Sequence, residues 1–408
     1  MDDLHGDLRG IIEHLDHVQN LGIDVLYMTP IFKSYSSHKY DIIDYYQIDP
    51  SFGTTEDLRE LVQEAHKRGM KIVMDAVFNH TGREFFAFED IMEKGEKSKY
   101  LDWYYIEKFP LKSERGEIPN YKCFGYYGGM PKLNLKNPEV EKFITDVACY
   151  WIKECNIDGW RMDVGDEISH YFWKNFRRAV KAVKKDMLII GEIWHYAGDF
   201  LEGDEWYTVM NYPFYLNLID LLADEKINVS QFIQNLGYLK GRLNKKCYPL
   251  MWNLIDSHDT ARFLHLCKDN KKKQHLAAAF QLLLPGMPMI YYGDEFAMPG
   301  ANDPDCRRGM YWDEEYQDKE MFEWYKQLLK VRKNHACIVE GEPMEIAARD
   351  EEETIVLTRK NGEETLALIF NCSNSARVFD EYAQKYDLLR EKPFDGKIEG
   401  LDAAVIVL

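Results

Sequence analysis

The chain has 408 residues, 46% hydrophobic and 14% aromatic, enough to bury a large interior and too many for one small core. Its 51 Lys and Arg against 69 Asp and Glu leave a formal net charge of -18, which repels nucleic acid and anionic lipid and makes a polyanionic substrate a poor fit. Eight Cys lie scattered with no CxxC pair, no apolar run reaches membrane-spanning length, and the start Met1-Asp2-Asp3-Leu4-His5 is acidic where a signal peptide is basic, so the chain reads as cytoplasmic.

In chain order, Leu8, Ile11, Ile12, Leu15, Val18 and Leu21 fall at helical spacing, and Gly22 sits where a left-handed cap ends the helix. A strand is expected over 23–29, then a polar loop with aromatics over 34–46 that contains Tyr40. Thr54 and Asp57 form a capping-box pattern for a helix closing at Gly69, and the next strand runs from Lys71 through Asp75 to Asn79 and His80. Residues 81–134 break the alternation, show no clear helix and read as an inserted subdomain. Asn137-Pro138 opens a helix that runs to about Cys155.

Two apolar segments, 157–164 and 187–194, flank an amphipathic stretch over 171–185, which together predict strand, helix, parallel strand. The first places Arg161 and Asp163 two residues apart, on one face of a strand; the second ends on Glu192 and Trp194. Further strands are expected over 208–212, 251–257 and 288–292, with a long helix over 319–335. From about Pro343 short strands at 354–358, 365–370 and 403–408, with a turn at Asn361-Gly362, indicate a small antiparallel β domain.

Repeated βα units with polar groups at strand ends indicate an α/β chain built on a (β/α)8 TIM-type barrel, over 1–80 and 135–342, with the insert at 81–134 and the β domain at 343–408. The open doubly wound alternative lacks its GxGxxG fingerprint. Strand ends carry Asp75, Asn79 and His80, then Arg161 and Asp163, then Glu192, then His258 and Asp259. A metal set is disfavoured by the absence of HxH and HExxH spacing. Two carboxylates can cleave a glycoside: one attacks the anomeric carbon or assists water, and the other donates a proton to the leaving oxygen. Asp163 beside Arg161 is expected to stay ionised, and Glu192 among Ile190, Ile193 and Trp194 to be held protonated. Taken singly, these residues read more blandly: Arg161 and Asp163 as an ion pair, His80 and His258 as loop histidines, Tyr40 as core packing, Asp75 as structural.

The segments 75–80 (DAVFNH), 159–164 (GWRMDV), 191–194 (GEIW) and 253–259 (NLIDSHD) resemble, in order, the four conserved regions of the α-amylase family of glycoside hydrolases. Residues 130–134 (MPKLN), with 192–195 and 302–307, are similar to its neopullulanase, cyclomaltodextrinase and maltogenic amylase subfamily. The resemblance implies Asp163 as nucleophile, Glu192 as general acid/base and Asp259 as transition-state stabiliser. It further implies that Arg161, His80 and His258 line the catalytic sugar subsite, with Tyr40 stacked on the ring. Trp194 reads equally as a wall of the acceptor side or as support for the barrel, and Asp75 and Asn79 read as structural residues near the site. The implied activity is retaining hydrolysis of α-1,4 and also α-1,6 glucosidic bonds in maltooligosaccharides, cyclodextrins or pullulan, with transglycosylation open to it. An oligo-α-1,6-glucosidase or glucanotransferase is the runner-up, and an inactive carbohydrate-binding relative the alternative from another class.

Two departures stand out. Only seven barrel strands are readable; the first strand and loop expected before Gly6, and the subfamily's N-terminal β domain, are not in the chain. That loop serves the subfamily's calcium site, so no cofactor is expected and calcium is doubtful, and the oligomeric state stays open. Second, Gly165-Asp166-Glu167 stands where Ala-Asn-Glu is usual.

Overall fold

The computed structural model describes residues 6–112 and 118–408. The acidic start Met1–His5, on which part of the localisation reading rests, lies outside the described residues, as do residues 113–117 of the insert. By internal contacts the chain divides into two compact units: Met1–Gln19, Ile23–Ile193 and Asp199–Val209, and Asn20–Gly22, Trp194–Gly198 and Met210–Leu408.

The first unit is built on five parallel strands, β1 (Val25–Met28), β2 (Lys71–Ala76), β3 (Gly159–Met162), β4 (Leu188–Gly191) and β5 (Thr208–Val209), which neighbour one another in chain order. Ile72, Val73, Met74 and Ala76 are all buried, because helices pack on a parallel sheet and its strands read as continuous apolar runs. Helix Thr55–Lys67 begins with the expected capping box: the Thr54 side chain accepts from the Asp57 N–H, and the Asp57 carboxylate accepts from the Thr54 N–H at 2.8 Å. It buries Leu58, Leu61 and Val62, each worth about 1.5–3 kcal/mol relative to exposure. Helix Pro138–Cys155 starts at the expected Asn137 cap and ends on Asn156 in the left-handed region. Helix His170–Val183 joins β3 to β4.

Three local expectations are corrected. The N-terminal helix is two, Leu8–Glu13 and Leu15–Leu21, interrupted at His14, whose imidazole bonds the Gly10 carbonyl at 2.8 Å. Residues 42–46, the end of the stretch read as loop, belong to a strand, Ile42–Ile48, paired with Phe32–Ser34. The insert does hold a helix, Phe86–Lys94, with no side-chain cap; aromatic contacts of Phe85, Phe86 and Phe88 with Tyr104, Tyr121, Trp103 and Phe143 hold it instead of local propensity.

In the second unit β6 (Trp252–Asn253) and β7 (Met287–Pro288) pair in parallel, and Met210 bridges Trp252. All seven strand positions expected for the barrel thus hold parallel strands. The chain then enters helix Lys319–Asn334 and a six-stranded sheet in the spatial order Glu342–Arg349, Thr354–Asn361, Glu364–Asn371, Asp402–Val407, Tyr386–Asp387, Lys392–Pro393, its pairings antiparallel. Gly362, at φ 61°, makes the predicted turn. Among the described residues, no helix is long and apolar enough to cross a membrane.

Just before β3, the buried Asp158 carboxylate accepts from the Ile72 N–H (2.9 Å), His66 Nε2 (2.8 Å) and Lys184 Nζ (2.8 Å), so one side chain ties β2, β3 and two helices together. Burial alone would raise its pKa, but the bonds from Lys184, His66 and Ile72 outweigh it and hold the group below the ordinary carboxylate value. A depressed folded pKa gives stability that is present above the unfolded value of about 3.9 and is lost as pH falls through the folded one. Asp158→Asn is therefore expected to lower unfolding free energy at pH 7 by about 1–3 kcal/mol. The gap between variant and wild type closes below about pH 4, and a gap that stays constant in urea titrations across pH rules this anchor out.

Candidate functional site

The C-terminal ends of β2, β3 and β4 bring four charged side chains around one buried point. Asp75 and Arg161 are direct partners in the parallel register of β2 and β3. Arg161 Nη1 donates to Asp75 Oδ1 at 3.1 Å and Oδ2 at 3.0 Å, and to Asp163 Oδ1 at 2.9 Å. Its Nη2 lies 3.0 Å from Glu192 Oε2. Arg161, Asp75, Asp163 and Glu192 are all buried. The sequence suggested that Arg161 serves Asp163 while Glu192 sits among apolar groups; instead one guanidinium holds both carboxylates and Asp75 as well. Spacing along one strand could not reveal this, because the link from Arg161 to Glu192 runs between neighbouring strands.

Asp75 also accepts from the Tyr27 hydroxyl at 2.6 Å and the Tyr40 hydroxyl at 3.1 Å. Tyr27 comes from β1 and was not singled out in the sequence; its place at a strand end was the available signal. The His80 Nε2–H donates to the Tyr40 carbonyl at 3.0 Å, and its ring stacks on Phe124 with centroids 5.2 Å apart. Burial pushes the His80 pKa down to about 4, so the ring is neutral near pH 7. Asn79 lies one step from the cluster: its Oδ1 accepts from Lys132 Nζ at 2.5 Å and its Nδ2 donates to Glu167 Oε2 at 3.1 Å, while Lys132 also pairs with Glu167 at 2.7 Å. Lys132 belongs to the 130–134 motif and, through its backbone bridge to His80, clips the insert to the end of β2.

Val164, between Asp163 and Gly165, adopts φ 45° and ψ 44°. A β-branched residue in this left-handed region is an outlier that surrounding structure must enforce. Its N–H donates to Glu192 Oε2 at 3.0 Å, and the Gly165 N–H donates to the Glu192 carbonyl at 3.3 Å. The turn after Asp163 thus reads the position of Glu192 through the main chain.

In the second unit, His258 Nε2 lies 3.2 Å from Asp259 Oδ2, and Arg307 Nη2 lies 3.6 Å from Asp259 Oδ1 while its Nε pairs with Asp303 at 2.6 Å. The loop bearing these groups is braced by a feature the sequence reading missed: buried Arg262 donates to the Tyr292 carbonyl at 2.8 Å and to Asp294 Oδ1 at 3.3 Å, and Asp256 accepts from the Phe263 N–H at 2.7 Å. Trp194 stacks on Tyr212 with centroids 3.9 Å apart and remains 41% exposed. Among the described residues, no group of three or more His, Cys, Asp or Glu side chains is arranged to hold a metal ion.

Burial pushes the Asp75 carboxyl up to about 6, against the pull of Arg161. The folded protein therefore holds a proton there that the unfolded chain releases near pH 3.9, and this group's contribution to stability falls as pH rises from about 4 to about 6. Asp75→Asn is expected to flatten the denaturation midpoint over that interval. A variant whose midpoint keeps the wild-type pH slope shows that Asp75 does not carry the proton.

Residues 1–316 match the family model described as alpha amylase, catalytic domain. A cyclomaltodextrinase of Geobacillus thermopakistaniensis is 46% identical over 371 residues, which cover 91% of this chain and 63% of that protein. The intracellular maltogenic amylase of Bacillus subtilis is 42% identical over 370 residues, 90% of this chain and 62% of that protein. A solved cyclomaltodextrinase structure superimposes with a TM-score of 0.93 at 38% identity, covering 98% of this chain and 71% of that one. The chain thus spans a little under two thirds of the length of these two curated relatives.

Proposed function

The chain belongs to the α-amylase family of (β/α)8-barrel enzymes, and from that membership we propose that it is a retaining α-glucan hydrolase acting on α-1,4 and also α-1,6 bonds of maltooligosaccharides, cyclodextrins or pullulan. The observation that carries this reading is the single Arg161 guanidinium that hydrogen-bonds Asp163 and ion-pairs with Glu192. Retaining glycosidases hold their two carboxyls roughly 5–5.5 Å apart, and a shared guanidinium suits such a separation.

In the proposed reaction Asp163 attacks the anomeric carbon while Glu192 protonates the departing glycosidic oxygen, and a covalent glycosyl ester forms on Asp163. Glu192, now ionised, takes a proton from water; that water attacks the anomeric carbon, releases Asp163 and leaves the configuration retained. An acceptor sugar in place of water gives transglycosylation. Asp259 is assigned to stabilise the oxocarbenium-like transition state, on the strength of the family motif at 253–259. Neutral His80 is assigned to sugar hydroxyls together with His258, Arg161 to the catalytic subsite, Tyr40 to stacking on the ring, and Trp194 to the acceptor side. Asp75 and Asn79 are assigned to holding the subsite in shape. Each chemical role falls to an amino-acid side chain, so the scheme invokes neither a cofactor nor calcium. We assign the protein to the cytoplasm, in keeping with eight cysteines that form no disulfide among the described residues and a relative named intracellular.

Release of reducing sugar from cyclodextrin, maltotriose, pullulan and isomaltose tests the reading and ranks the bonds. Glu192→Gln is expected to lower kcat by about 10²–10⁴-fold. Turnover in that variant equal to wild type removes Glu192 as the acid, and a wild-type chain inert on all four substrates removes the hydrolase reading.

A further inference from the structure

Behind the two strands that carry Asp163 and Glu192 lies a buried indole that the reaction itself never touches. Trp206 is 1% exposed, in the segment leading into β5. Its benzo ring lies against two glycines: a Cβ on Gly165 would stand 2.6 Å from Trp206 Cζ2 and 2.8 Å from Cη2, and a Cβ on Gly191 would overlap Cε3 and Cζ3. Gly165 is two residues after Asp163, and Gly191 is immediately before Glu192. From the other side the Trp173 indole N–H donates to the Gly165 carbonyl at 2.8 Å. Gly165 does not occupy the left-handed region, so its backbone conformation is open to alanine; the ring is what forbids a side chain.

Trp206 is itself held firmly. It stacks on Phe200 with centroids 4.2 Å apart and planes 7° apart, and meets Trp173 edge-on at 5.7 Å. Arg177 Nη1 donates to the carbonyl of the preceding Glu205 at 3.2 Å, and both Glu205 carboxylate oxygens bond His170 Nδ1, at 2.9 and 3.0 Å. Yet the Trp206 Nε1–H, buried, has no hydrogen-bond partner among the described residues, and a buried donor left unpaired is destabilising. Stability alone would favour an aromatic ring with no donor to bury.

We propose that Trp206, with Trp173, is a positioning residue: a wedge that fixes the Val164–Gly165 turn and the end of β4, and so the placement of the Glu192 carboxyl relative to Asp163. The linkage runs through main-chain bonds, Val164 N–H to Glu192 Oε2 and Gly165 N–H to the Glu192 carbonyl. The inference rests on the hydrolase reading above and adds a residue that neither reacts nor touches the sugar.

The test uses two substrates that differ in their need for a proton donor. Cyclodextrin has a sugar alkoxide to expel and depends on Glu192; α-maltosyl fluoride expels fluoride with little help from a proton. In Gly165→Ala the new Cβ must push the turn or the ring, and kcat on cyclodextrin is expected to fall by about 10²-fold with KM within about threefold. The loss on α-maltosyl fluoride is at least about tenfold smaller. Trp206→Phe, which folds without a clash, shows the same split between substrates in milder form. Combining the two substitutions recovers cyclodextrin turnover above that of Gly165→Ala, because phenylalanine vacates the space the methyl needs. Equal losses on both substrates, turnover in Trp206→Phe equal to wild type, or a double variant no better than Gly165→Ala overturns the proposal. Failure of the hydrolase reading is a different result, a wild-type chain inert on both substrates.

Discussion

One guanidinium, that of Arg161, is the point on which the charged strand ends of the first unit depend. It is fully buried and touches three carboxylates from three adjacent strands. Withdrawing such charges from water costs several kcal/mol per ion, and similar buried clusters are often replaced by apolar residues without loss of stability. The cluster is therefore poor value as a fastener and makes sense as a means of holding carboxylates in a fixed relation. Its geometry depends on strand register: Asp75 faces Arg161 and Met162 faces Gly191, and a slip of one residue in any of the three strands would turn a charged side chain to the opposite face of the sheet. Sheet pairing and charge pairing thus specify each other.

What the sequence could reveal follows from the range of its signals. Strands buried on both faces announce themselves as apolar runs, so β2, β3 and β4 were found within a few residues of their ends, as were the caps at Thr54 and Asn137. Helix Phe86–Lys94 and strand Glu342–Arg349 went unread for opposite reasons. The helix lacks a cap and depends on aromatic neighbours distant in the chain, while the strand is an exposed edge in which little apolar alternation is required. In the site, Asp163, Glu192, Asp75 and Asn79 could be read because a charged or strongly polar side chain at the end of an apolar run is conspicuous. Tyr27 offered only its place at a strand end, and Val164 and Trp206 offered nothing, since an aromatic or aliphatic residue carries no local mark of the tertiary contact that gives it a role.

The rigidity behind the cluster is largely aromatic. Phe32 stacks on Trp151 at 5.2 Å, Phe78 meets Trp160 at 5.7 Å and Phe176 at 5.9 Å, and the Tyr45 hydroxyl bonds the Val77 and His80 carbonyls at 2.7 and 2.9 Å. Large flat side chains with two rotatable bonds lose little entropy on burial and leave few alternative packings. Such a scaffold lets polar groups be aimed before substrate arrives, which is what electrostatic stabilisation of a transition state requires.

The departure at Gly165-Asp166-Glu167 acquires a physical sense against this background. Control of Glu192 passes through backbone N–H groups of Val164 and Gly165, so the identity of their side chains matters only through volume and through the dihedral angles they permit. Val164 is held at a dihedral it would not choose, and Gly165 lies where a ring occupies the space of a Cβ. Substitution at the outward residues of the turn is a different matter: Glu167 spends its carboxylate on Lys132 and Asn79, joining the turn to the insert. The same four residues, 164–167, therefore meet two demands, an inner one of shape set by tryptophan and an outer one of charge set by lysine. A change at one end of the turn must leave the other end's contacts intact for Glu192 to stay where Asp163 needs it.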